Sequence, residues 1–123
     1  MSKYLLIFPL LLVLSCKEDT PTSDDLLSQM NSINDEIETL IITSCESSDH
    51  CVATPMGVKP CGGPTKFIVH SNETDQEKLD VLIEKYNDLN SKYNEVNNLG
   101  SDCSVVTAPE MDCVSGNCLE IES

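Results

Sequence analysis

TDQEKLDVLIEKYNDLNSKYNEVNNLG, residues 74–100, sets Leu79, Leu82, Tyr86, Leu89, Tyr93 and Val96 at alternating steps of three and four, with Ile83 beside them. A strand would alternate at two; steps of three and four line one face of an α-helix. Thr74-Asp75-Gln76-Glu77 reads as a capping box with Thr74 at the N-cap, and Leu99-Gly100 supplies a residue able to turn left-handed after the last turn. Upstream, Leu26, Met30, Ile33, Ile37 and Leu40 repeat the pattern, widened by Leu27 and Ile41. This predicts a helix over residues 24–43, capped by Ser23, with Asp24 and Asp25 against the positive end of its dipole. Residues 51–54 and 66–70 are β-prone and separated by Pro55, Gly57, Pro60, Gly62, Gly63 and Pro64. Residues 103–107 and 118–121 are two further strand candidates, with Ser115-Gly116-Asn117 as a turn. The expected fold is α+β: two amphipathic helices covering a small antiparallel sheet of three to four short strands, stapled by disulfides. Each stripe spans only about three heptads, short for a coiled coil, so the helices are expected to pack within one monomeric subunit.

The cysteines supply the staples. Seven are present, and setting Cys16 apart leaves an even set: Cys45, Cys51, Cys61, Cys103, Cys113 and Cys118. Six cysteines in an exported chain read as three disulfides, with about fifteen connectivities that the sequence leaves open. No Cys-x-x-Cys and no paired histidine motif occurs, so neither a zinc site nor any other metal or cofactor is expected.

Cys16 closes the run Val13-Leu14-Ser15-Cys16 behind Lys3 and the apolar residues 4–14. That apolar run is shorter than the roughly 20 residues a bilayer span needs, and its layout is that of an export signal. The run resembles the lipobox of bacterial lipoproteins. The resemblance implies that residues 1–15 are a signal peptide, that the Cys16 thiol takes a diacylglyceryl group, and that the new amine is acylated. Residues 16–23 would then be a lipidated flexible tether and 24–123 a single cysteine-rich α+β domain. Lys17 stands where an aspartate retains Gram-negative lipoproteins at the inner membrane, which implies the outer membrane, facing the periplasm or the cell surface. Lys17-Glu18-Asp19 resembles a lysine-plus-acid tether of surface-exported lipoproteins. Residues 45–119, with Cys45-Glu46-Ser47-Ser48-Asp49-His50-Cys51, Pro60-Cys61-Gly62-Gly63-Pro64 and Cys113-Val114-Ser115-Gly116-Asn117-Cys118, resemble small cysteine-rich domains of exported bacterial proteins, and that likeness carries no activity with it.

Charge narrows the partners. The chain carries 7 basic and 21 acidic residues and no arginine, a formal charge of −14. Such a surface repels phosphate backbones and anionic headgroups, so nucleic acid is excluded as a partner and membrane contact is left to the anchor. His50 beside Asp49 and His70 beside Ser71 lack a nucleophile elbow and read as surface or turn residues. The loop of residues 59–64 is the candidate recognition element: Cys61 pins it, Gly62 and Gly63 allow close backbone approach, and Lys59 could enter an acidic pocket. The resulting expectation is a lipid-anchored envelope or cell-surface binding or structural module, without catalysis, whose partner is an envelope protein or glycan. A protease-inhibitor-like use of the Lys59 loop is the second reading and a small hydrolase the third.

Overall fold

Thr22 and Asp25 start the first helix, α1 (Ser23–Leu40), with a reciprocal pair of bonds. The Asp25 N–H donates to the Thr22 hydroxyl at 3.2 Å, and the Thr22 N–H donates to the Asp25 carboxylate at 3.3 Å. The structure, a computed structural model, describes residues 9, 10, 12 and 20–122. The Ser15-Cys16 junction and Lys17-Glu18-Asp19 lie outside the described residues. Ser23, the expected cap, is the first helical residue instead, and its hydroxyl donates to the Asn97 side chain at 2.9 Å. The helix stops at Leu40 rather than Thr43: Ile41, whose N–H makes the last helical bond to the Ile37 carbonyl, turns to an extended conformation, and Ile42 and Thr43 bond elsewhere.

The long stripe forms the second helix, α2 (Gln76–Val96). Asp75 caps it, accepting from the Lys78 N–H at 3.2 Å. Thr74, expected at that position, is buried and exchanges two bonds with Ile42, accepting from its N–H at 3.0 Å and donating to its carbonyl at 3.2 Å. At the far end Asn98 (φ 49°), not Gly100, takes the left-handed conformation that closes the helix. The bonds Ser23–Asn97 and Ile42–Thr74 tie the start of each helix to the end of the other, so the two run antiparallel within one subunit.

Among the described residues, four strands follow the expected antiparallel logic but form two ribbons. β1 (Cys51–Met56) pairs with β2 (Lys66–Ser71), Cys51 opposite Ser71 and Met56 opposite Lys66. β3 (Met111–Val114) pairs with β4 (Asn117–Glu120) around Ser115 (φ 51°) and Gly116 (φ 80°), a two-residue turn with both central residues left-handed. Between the ribbons runs the end of the α1 connection: the Ser71 N–H reaches the Ile42 carbonyl at 2.7 Å and the Cys118 N–H the Thr43 carbonyl at 2.8 Å. That segment stands where a continuous sheet would have paired the ribbons directly.

Residues 103–107, expected as a strand, have no regular structure. Cys103 is left-handed (φ 57°), its N–H donates to the Ser101 hydroxyl, and the Ser104 N–H donates to the Asp102 carboxylate. Such local side-chain bonds compete with a ladder. The core sits where the helices meet the first ribbon: Ile37, Met56, Leu79 and Ile83, with Ile33, Leu40, Ile68, Leu82 and Tyr86 packed around them. Half-buried Tyr86 has its phenol pKa raised above the ordinary value by burial. Three disulfides fasten the rest: Cys45–Cys113 and Cys51–Cys118 hold the second ribbon, and Cys61–Cys103 joins the β1–β2 loop to the segment after α2.

Candidate functional site

The loop between β1 and β2 is held from α2 by asparagines. Asn87, Asn90 and Asn94 follow helical spacing on one face, and their side-chain amides grip the start of the loop. Asn87 accepts from the Gly57 N–H at 2.8 Å, Asn90 accepts from the Val58 N–H at 2.7 Å, and Asn94 donates to the Val58 carbonyl at 2.8 Å. Gly57 is the position that requires glycine: its φ is 88°, and a Cβ would collide with the Thr65 side chain. Gly62 and Gly63 are left-handed with open space around them, so they serve the turn rather than a close approach.

Lys59, proposed from the sequence as a probing side chain, is tied back. Its ammonium donates to the Ser104 carbonyl at 2.7 Å and the Ser104 hydroxyl at 3.0 Å, with Asp102 at 3.9 Å. The Ser104 backbone N–H, the Ser104 side chain and the Lys59 charge hold the Asp102 carboxyl below its ordinary range. This loop is therefore cross-braced to residues 101–104 by a disulfide and a lysine together.

The histidines do not assemble into one site. His70, expected at the surface or in a turn, is fully buried on β2. Its Nδ1 faces the Ser71 carbonyl at 2.9 Å, an acceptor only, so the Nδ1 N–H donates there, and Nε2 lies 2.7 Å from the Thr54 hydroxyl. His50 lies in a 3₁₀ turn (Ser48–His50), where its Nδ1 accepts from the Glu46 N–H at 3.3 Å. The sulfurs of Cys45, Cys51 and Cys118 lie within 4.8 Å of one another, yet each is engaged in a bridge, which leaves no thiolate there to ligate a metal.

An open concavity lies between the helices. A groove of about 910 Å³ runs between the second half of α1 and the first half of α2. Half-buried Leu40 and Leu82, whose other sides pack on the core, and Val81, 52% exposed, give it an apolar surface. Asp35, Glu36 and Glu77 line it as well. Its lysine, Lys78, lies 3.8 Å from Asp75, the cap of its own helix. A smaller recess of about 280 Å³ adjoins the loop between Val58 and Leu99.

No protein-family model matches this chain, and no curated protein or solved structure is significantly similar to it. The groove was not foreseen from the sequence. Its signal was Val81, an apolar residue off the inward stripe and flanked by Asp80, which the fold itself leaves uncovered.

Proposed function

We propose that this protein is a binding module of the bacterial envelope, tethered to the outer membrane by lipid on Cys16, which presents the interhelical groove to an envelope partner. The observation that carries the binding role is the groove itself: an apolar, solvent-open surface built on two helices whose inward faces pack on the core. Pre-organised surfaces of this kind lose little entropy on association. The tether rests on the resemblance of Val13-Leu14-Ser15-Cys16 to a lipobox, and three disulfides fit an oxidising compartment. No helix of the described residues is long and apolar enough to cross a membrane.

The inhibitor reading loses its main support, because the Lys59 ammonium is already engaged by Ser104. The hydrolase reading is disfavoured by the engagement of His70 between Thr54 and the Ser71 carbonyl. The test of the tether is metabolic labelling with a fatty acid. The wild-type chain should take up label and fractionate with the outer membrane, whereas Cys16→Ser should do neither; equal labelling of the two would remove the tether. The binding role is tested on the tethered chain by photocrosslinking from position 81 and from position 112 on β3. A discrete envelope adduct from 81 alone supports it, and equal or absent adducts refute it.

A further inference from the structure

We propose that the occupant of the interhelical groove is a cationic amphipathic helix contributed by a protein partner. This rests on the reading of the chain as a binding module and names the chemistry that the groove selects.

Shape comes first. The α1 wall runs from Ser32 to Leu40, about 12 Å at the helical rise, and the α2 wall covers Glu77 to Leu82. A trough about two helical turns long on α1 and one and a half on α2, between antiparallel helices, is a surface on which a third helix packs, its ridges entering the groove at about 8–10 Å between axes. The groove is open to solvent along its side, whereas pockets for small ligands enclose most of the ligand surface. An open trough instead suits a partner whose far side remains in water.

Charge selects the sign. Asp35, Glu36 and Glu77 flank the apolar strip, and Lys78 is drawn towards Asp75. The negative end of the α1 dipole beside Leu40 is offset by the positive end of α2 at Glu77, so the groove takes its sign from its carboxylates. The whole chain, at −14, extends the same field outward and steers cations inward. The complement is a helix with apolar residues at i, i+3 or i+4, and i+7, flanked by lysine or arginine. An anionic lipid surface has the wrong charge for this face.

The probe is a synthetic fluorescent leucine–lysine peptide of amphipathic helical pattern, with its leucine–glutamate counterpart as control. Binding is read by anisotropy against the full chain carrying Cys16→Ser, so that no lipid competes. The leucine–lysine peptide should bind saturably and more weakly as salt rises, and the glutamate peptide should not bind. Asp35→Asn, Glu36→Gln and Glu77→Gln together should weaken binding by about tenfold or more. Glu110→Gln, Asp112→Asn and Glu120→Gln, an equal loss of charge around the second ribbon, should change it by less than about twofold. Val81→Ser should weaken it by about threefold or more. Unchanged melting of these surface variants would confirm that they fold.

Equal weakening by the two charge sets would mean that net charge alone attracts the peptide and would overturn the proposal. So would binding of the glutamate peptide, or indifference to Val81→Ser. A groove that binds no peptide while position 81 still crosslinks to an envelope partner would sink the cationic-helix assignment and leave the binding module standing. Loss of both would sink the module.

Discussion

At the residue scale, the most consequential surprise is His70. In the sequence it is a polar residue beside a serine at the end of a β-prone run, which suggests exposure. In the fold it is completely buried, and each ring nitrogen has a partner, one of them Thr54 sixteen residues away on the neighbouring strand. A buried polar group is tolerated only when its hydrogen bonds are made, and that condition depends on register, which the sequence alone leaves open. Thr54→Val keeps the shape and removes the hydroxyl, leaving Nε2 without its partner. The expected loss is about 1–3 kcal/mol in chemical denaturation, with Thr54→Ser retaining most of the stability. If valine matches serine, the bond carries no weight. Lys59 teaches the complementary lesson: a lysine in a glycine-rich loop looks free until its partner, Ser104, is brought back across 45 residues.

Elements were legible in proportion to their periodicity. The two stripes of apolar residues located α1 and α2 to within a few residues, because a 3.6-residue period has to be buried on one side. Each N-cap lies one residue from the position that the sequence suggests, and for a common cause. Thr22 and Ser23, like Thr74 and Asp75, are adjacent capping residues, and the choice is made by distant groups: Asn97 takes the Ser23 hydroxyl and Ile42 takes that of Thr74. The strands were less legible. Residues 51–54 and 66–70 stood out by β-branched content, but Met111–Val114 contains an aspartate and a cysteine and forms a strand because its hairpin and disulfide place it there. The asparagine row on α2 is a device of this scale, a helix face serving as the hydrogen-bonding wall of a loop. Asn90 is buried and satisfies the Val58 N–H. Asn90→Ala should cost about 1–3 kcal/mol and raise amide exchange at Gly57 and Val58, which hydrogen-exchange measurements would register. Unchanged protection there would show that the remaining asparagines suffice.

For the whole molecule, the sequence indicated that six cysteines pair, while their connectivity came only from the fold. The bridges span 68, 67 and 42 residues, so none follows from neighbouring positions. Each closes a long loop in the unfolded chain, which in the chain-entropy account contributes about 4 kcal/mol. Replacing Cys51 and Cys118 together by alanine should therefore remove a large part of a stability that for domains this size is about 5–15 kcal/mol. A fall in the denaturant midpoint is the expected result, and a variant as stable as the wild type would show that packing holds the second ribbon unaided. The groove lies on a different support, the helix pair, which carries no disulfide and is held by the apolar core and by the Ser23–Asn97 and Ile42–Thr74 bonds.

The close approach of Cys45, Cys51 and Cys118 has one more consequence, for biogenesis. Sulfurs within 4.8 Å of one another can exchange partners with little movement of the backbone, so wrong pairs between these three are sterically accessible during oxidation. In the fold, docking of the hairpin against the Ile42–Thr43 segment sets Cys118 beside Cys51 and Cys113 beside Cys45, the native pairs. Maturation should then favour an isomerase, and in the test tube a glutathione redox buffer should return more correctly shuffled product than oxidation by air.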